Sequence, residues 1–82
     1  MELKDTIELM NSTSYQERFK AEYLQLKIRY EKLKIMVDKW DKGILEFTPT
    51  CPIATYDIQL QAMKNYLDIL EIRASIEKVE LN

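Results

Sequence analysis

The stretch FKAEYLQLKIRYEKLKIMVDKW, residues 19–40, decides the fold. Its apolar residues recur at steps of 4, 3, 4, 3, 4 and 3: Phe19, Tyr23, Leu26, Tyr30, Leu33, Val37 and Trp40. This is an unbroken heptad seam, and neither glycine nor proline interrupts it. The residues between the seam positions are mostly charged and favour helices. The pattern predicts one long helix whose apolar seam needs a partner.

Residues on either side of this stretch predict where the helix begins and ends. Ser14 and Glu17 fit a capping box, which predicts a start at Tyr15. Gly43 is the only glycine, and a glycine just past a helix can take the left-handed conformation that ends it, which predicts an end at Lys42. Residues 1–14 are expected to form a short N-terminal helix with a capping linker, and residues 15–82 a helical hairpin domain.

A second helix is predicted from Ile53 to Val79. Its seam again steps 4, 3, 4, 3 and 4: Tyr56, Leu60, Met63, Leu67, Leu70 and Ala74. In an antiparallel pair, facing positions have numbers with a constant sum. The two seams match at sums of 96 and 97, for example Trp40 with Tyr56, Leu33 with Met63, and Tyr23 with Ala74. The sequence therefore predicts an antiparallel hairpin of two helices.

Each predicted helix also has a second apolar face. These faces comprise Ala21, Leu24, Ile28 and Ile35 on the first helix, and Ile58, Ala62, Tyr66, Ile69, Ile72, Ile76 and Val79 on the second. A lone hairpin would leave both faces wet, and the N-terminal helix can cover only part of one. We therefore expect an all-α, oligomeric helical bundle, a homo-oligomer built on a two-fold hairpin dimer.

Composition excludes several classes of protein. One cysteine, Cys51, allows no disulfide within the chain, and the sequence has no histidine. We expect no metal site, no cofactor and no catalytic activity. A net charge of −2 argues against DNA binding, and no apolar run reaches the length of a membrane span. These features favour a soluble protein of a reducing cytoplasm.

Charge is uneven along the chain. Residues 18–42 contain eight basic and four acidic residues, whereas residues 44–82 contain three basic and six acidic ones. One interpretation is that a basic helix pairs with an acidic one along the hairpin. The other is that the basic helix binds a phosphate-bearing ligand.

Two groups of residues are candidates for binding such an anion. The first group lies at the loop end of the hairpin, where the start of the second helix offers free amides: Lys39, Lys42, Thr48, Thr50 and Tyr56. The second group lies at the opposite end: Tyr15, Arg18 and Arg73. For the first group the alternative is an ordinary turn with solvated lysines, and for the second it is exposed helix charges.

Three runs carry a family resemblance: ERFKAEYLQLKIRYEKLKIMVDKW (17–40), GILEFTPTCP (43–52) and QLQAMKNYLDILEIRASIE (59–77). Together they resemble small helical-hairpin proteins of crAss-like and other bacteriophages. The hairpin is also similar to a domain of phage anti-defence sponges, which sequester cyclic oligonucleotide or cyclic ADP-ribose signals of bacterial CBASS and Thoeris immunity. That similarity implies a multi-protomer assembly, often a hexamer, in the host bacterial cytoplasm, with ligand held between protomers and no turnover. It assigns no ligand residue by position.

Two functions follow as hypotheses. The first is a phage anti-defence protein that binds and sequesters a cyclic nucleotide immune signal without hydrolysing it. The second is a helical protein-interaction or assembly module with no small-molecule ligand.

Overall fold

The computed structural model describes residues 1–81, and this part of the chain is all-α, with no strand. A 3₁₀ turn at Leu3–Thr6 leads into the single-turn helix α1, Ile7–Met10. Two long helices follow, α2 at Tyr15–Asp41 and α3 at Ile53–Glu77. They pack against each other as a hairpin, which confirms the predicted pairing of two helices. None of the helices within residues 1–81 is long and apolar enough to cross a membrane.

The start of α2 is capped almost as predicted. The Ser14 hydroxyl accepts a hydrogen bond from the Glu17 N–H at 3.4 Å. The second half of the capping box is replaced by a relay through Ser12. The Ser12 hydroxyl accepts from the Ser14 N–H at 3.0 Å and donates to the Glu17 carboxylate at 2.7 Å. Ser12, which lies outside the capping-box motif, therefore hydrogen-bonds both the Ser14 N–H and the Glu17 carboxylate.

The end of α2 is a Schellman motif centred on Gly43. The Gly43 N–H donates to the Trp40 carbonyl at 2.9 Å, and the Ile44 N–H donates to the Lys39 carbonyl at 3.0 Å. Gly43 has φ +71°, the left-handed conformation that the sequence predicted for it. Helix α3 ends similarly at Lys78, which has φ +58° without being a glycine. This turn leaves Val79 outside the helix predicted to contain it.

Gly43→Ala is expected to lower the free energy of unfolding by about 1 kcal/mol, because a side chain disfavours positive φ. A Cβ at this position would meet open space in the described part of the chain, so the cost is conformational. Lys78→Gly is the matched control and should raise the free energy of unfolding by a similar amount. Urea denaturation measures the free energy of unfolding of both variants. A lower free energy of unfolding in both would contradict the prediction.

Packing along the hairpin agrees with the predicted register but is uneven. At the loop end, Trp40 and Tyr56 meet edge to face with ring centroids 6.2 Å apart. At the other end lies the buried core cluster of Phe19, Tyr23, Leu67, Leu70, Ala74 and Val79. Leu33 and Met63, in the middle, are only half-buried. The core therefore sits where α2 begins and α3 ends, and the loop half of the hairpin is more open.

The N-terminal segment packs on the second face of α2. Thr6 is fully buried, and its hydroxyl donates to the Leu3 carbonyl at 2.7 Å and accepts from Gln25 Nε2 at 2.9 Å. Ala21 and Ile28, which share the helix face of Gln25, are buried as well. The N-terminal segment therefore covers part of this face, as expected, and Ile28 is buried within the single chain rather than open to a subunit contact.

The second face of α3 is open. Four isoleucines on it are more than half exposed: Ile58, Ile69, Ile72 and Ile76. We call this surface the outer α3 face.

Candidate functional site

The predicted site residues form two groups at opposite ends of the hairpin. Tyr15 and Lys39 stand 24 residues apart on the same straight helix, a separation of about 36 Å. A single protomer therefore cannot bring the two groups onto one small ligand.

A surface cavity of about 210 Å³ opens at the loop end. Its lining consists of Lys39, Ile44, Leu45, Glu46 and Phe47. Lys39 is the predicted site residue that reaches it. Phe47 was not foreseen as a site residue, because an apolar residue in a connection suggests core packing. With its side chain 58% exposed, Phe47 is instead an aromatic surface beside a lysine.

The apolar residues of the connection do not all fold back over the end of the hairpin, although apolar residues in a connection favour such packing. Ile44 and Phe47 are exposed, while Leu45 is half-buried. Trp40 and Tyr56 already close that end of the hairpin by packing on each other. Two prolines also keep the chain extended before α3. The connection therefore presents its apolar side chains outward.

The remaining loop-end candidates differ in their surroundings. Lys42, Thr48 and Thr50 are exposed. Tyr56 is half-buried, and its phenol pKa is raised, first by burial and then by the neighbouring Cys51 thiol. Since Trp40 already engages Tyr56, Phe47 is the aromatic residue placed to stack on a ligand.

The start of α3 is suited to an anion. Its N-cap is Pro52, whose side chain has no hydrogen-bond acceptor for the first-turn amides. Thr50 and Cys51 precede the N-cap and make no side-chain cap hydrogen bond. The N–H groups of Ile53 and Ala54 stay uncapped at the positive end of the helix dipole, as an anion site requires.

At the opposite end, Tyr15, Arg73 and Glu77 form a closed network. The Tyr15 hydroxyl donates to Glu77 at 2.5 Å, and Arg73 donates to the Tyr15 oxygen at 3.1 Å and to Glu77 at 3.2 Å. The bond from Tyr15 lowers the pKa of Glu77, and the same bond raises the pKa of Tyr15. The Arg73 guanidinium also lies 4.8 Å from the centre of the Phe19 ring.

These contacts occupy the positive charges of the second group. Arg73 has a carboxylate partner, and Arg18 donates to the Ser12 carbonyl at 3.0 Å. A ligand phosphate at this end would have to compete with Glu77. The loop end is therefore the better candidate for binding an anion.

The hairpin region matches the profile of a known protein family. The profile of the Sequestin family matches residues 13–76, which span α2, the connection and nearly all of α3. The chain belongs to the Sequestin family. Both candidate groups lie inside the match, while the 3₁₀ turn and α1 precede it. The Sequestin name denotes sequestration, which indicates a binding role rather than a catalytic one. Neither a search of curated proteins nor one of solved structures found a match.

Proposed function

We propose that this Sequestin-family protein is a phage anti-defence protein that binds a cyclic nucleotide immune signal and holds it without hydrolysis. The ligand is a cyclic oligonucleotide or a cyclic ADP-ribose type signal of CBASS or Thoeris immunity, captured in the host bacterial cytoplasm. The observation that carries the proposal is the loop-end cavity, where Lys39 and Phe47 lie side by side within a family named for sequestration.

The loop end offers the two kinds of group that such a ligand requires. Lys39, Lys42 and the first-turn amides of α3 supply positive charge for phosphate, with Thr48 and Thr50 as additional donors. Phe47 supplies an exposed ring on which a base stacks. The Glu46 carboxylate, also in the lining, accepts hydrogen bonds from a base amino group or a ribose hydroxyl.

The size of the cavity supports binding between protomers. Pockets that enclose a small-molecule ligand typically measure about 300–1,000 Å³. At about 210 Å³, the cavity of one protomer holds only part of a cyclic dinucleotide. We therefore propose a homo-oligomer, dimer-based and possibly hexameric, in which more than one protomer contacts each ligand.

Thermal-shift screening against cyclic dinucleotides, cyclic trinucleotides and cyclic ADP-ribose isomers tests the function. A ligand that binds only the folded state raises the melting temperature, and a domain of this size should gain several degrees at saturating ligand. Chromatography of the ligand after incubation should recover it intact. Hydrolysis would reject sequestration, and no shift with any compound would reject the nucleotide ligand.

Lys42→Glu is expected to weaken binding at least tenfold, because it places a negative charge beside the phosphate site. Isothermal titration measures the affinity, with circular dichroism to confirm folding. Lys32→Glu carries the same charge change at an exposed position of α2 away from the loop and is the control. If a folded Lys42→Glu protein binds the ligand with unchanged affinity, the loop-end site is rejected. The candidate site is then the group of Tyr15, Arg18 and Arg73.

Phe47→Ala should weaken binding by a similar factor with little effect on stability, because the ring is mostly exposed. Tyr56→Ala is a poorer test, since losing the contact with Trp40 also loosens the hairpin. An unchanged affinity in Phe47→Ala would show that no base stacks there.

A specific observation also favours a second candidate, a helical interaction or assembly module without a ligand. The outer α3 face exposes four isoleucines on one helix, which is typical of a protein contact surface. A folded protein that assembles but binds no compound of the panel would support this alternative.

A further inference from the structure

The outer α3 face contains a second heptad seam, which includes Asn65 and leaves out Tyr66, whose hydroxyl donates to Glu22 of α2. Its positions step 4, 3, 4, 3 and 4 along the helix: Ile58, Ala62, Asn65, Ile69, Ile72 and Ile76. None of the six side chains is charged. The isoleucines are 54–74% exposed in the single chain. This seam runs about 27 Å along α3, parallel to the inner seam that packs on α2.

We infer that two copies of this chain pair through this seam, α3 against α3, in parallel orientation about a two-fold axis along the helices. The inference rests on the assembly part of the proposed function and specifies its interface. Each seam residue then faces its own counterpart in the other copy, as in a parallel coiled coil. Such a contact is closed and uses the same surface on both copies.

A second copy is the partner that the seam fits best. A neutral heptad seam requires an equally neutral heptad seam opposite it. The corresponding face of α2 is largely covered: Ala21 and Ile28 are buried where the N-terminal segment packs, and Ile35 is its exposed isoleucine. Within residues 1–81, the outer α3 face is thus the long apolar helix face left open, and it complements itself.

Asn65 decides the orientation. In the parallel pair it meets the other Asn65, and each amide both donates and accepts, so the polar groups are satisfied. Its carbonyl accepts from Gln61 within the chain at 2.9 Å, which leaves its NH₂ group to donate across the interface. In the antiparallel register that retains all six positions, Asn65 would face Ile69 and its amide would lose water without gaining a partner.

The flanking charges favour the same orientation. Parallel pairing places Asp68 of one copy opposite Arg73 of the other, at the positions that flank a coiled-coil seam. Antiparallel pairing would place Asp68 opposite Asp68. Asp68 is about half exposed, but Arg73 is already held by Tyr15 and Glu77 of its own chain. The charges therefore favour the parallel orientation because it avoids an Asp68–Asp68 pair.

Parallel pairing also brings the two loop ends together. The start of each α3 lies about 8–10 Å from the other, measured between helix axes. The uncapped amides and the lysines of both copies then converge at one end of the dimer. Two half-sites related by a two-fold axis suit a symmetric cyclic dinucleotide.

Sedimentation equilibrium at tens of micromolar tests the interface. Ile69→Glu is expected to raise the dimer dissociation constant at least 100-fold, because it buries two facing carboxylates. Ile35→Glu is the matched control, since Ile35 is exposed to 55% and Ile69 to 54%, but Ile35 lies on α2. A wild-type monomer, or equal disruption by both substitutions, would overturn the inference.

Disulfide trapping in a Cys51→Ser background tests the orientation. Ala62→Cys alone should form a covalent dimer on mild oxidation, because the two residues 62 face each other. In the antiparallel register these residues stand ten positions apart, about 15 Å, too far for a disulfide. Cross-linking only when Ala62→Cys is mixed with Ile72→Cys would therefore overturn the parallel pair. Lys32→Cys should not cross-link under the same conditions.

These outcomes are separable from those of the proposed function. If the protein forms the parallel dimer but binds no nucleotide, this interface is supported and the proposed sequestration of a nucleotide is rejected. If the protein is a monomer that binds a nucleotide, the α3–α3 interface is rejected and nucleotide sequestration is supported.

Discussion

Leu70→Ala is expected to lower the free energy of unfolding by about 3–5 kcal/mol, the largest stability effect of any substitution considered. Leu70 has no exposed surface and lies in the core cluster with Phe19, Tyr23 and Ala74. The substitution loses the transfer energy of the side chain and leaves a cavity that its neighbours cannot fill. Because a chain of this size is stabilised by only a few kcal/mol, the variant should be largely unfolded at 37 °C.

Leu33→Ala provides the comparison, because it removes the same atoms from the middle of the same hairpin. Leu33 is only half-buried, so the expected loss is about 1–2 kcal/mol. Urea unfolding followed by circular dichroism measures both changes at a fixed protein concentration, since assembly adds to the apparent stability. Equal losses at the two positions would mean that the core is not concentrated at one end.

The difference in burial between Leu70 and Leu33 shows which part of the fold the heptad pattern predicts. The seams predicted both long helices and the contact of Trp40 with Tyr56, and the capping residues before the first seam predicted that α2 begins at Tyr15. A heptad pattern treats all layers alike, however, and burial also depends on what covers the hairpin from the sides. Val79 and Leu81 add to the core cluster at the end near Phe19, where Leu70 is buried, whereas Leu33 in the middle of the hairpin is half-buried. The contacts of Val79 and Leu81 lie outside any heptad and could not be read from its period.

The candidate site was predictable in part. Lysines near the end of α2 and free amides at the start of α3 follow from helix boundaries, and the structure places Lys39 in a cavity at that end. Phe47 was missed because sequence cannot distinguish an apolar loop residue that packs inward from one that stays exposed. The ion pair between Arg73 and Glu77 was not predicted either. Its signal was the spacing of four residues, at which opposite charges pair on a helix.

Thr6→Val is expected to lower the free energy of unfolding by about 2 kcal/mol. The two side chains have nearly the same shape, so the substitution removes the hydroxyl and little else. It leaves the Leu3 carbonyl and the Gln25 amide without this partner at a fully buried position. Unsatisfied buried polar groups cost about 1–3 kcal/mol.

A double-mutant cycle with Gln25→Leu separates the hydrogen bond from other effects of the substitution. If Thr6 and Gln25 act through their 2.9 Å contact, the double variant should be more stable than the sum of the two single losses implies. Thr6→Ser, which keeps the hydroxyl, should retain most of the stability. Additive losses, or a neutral Thr6→Val, would show that the N-terminal segment does not dock on α2 in solution. Ile28 would then be free to join an interface between copies.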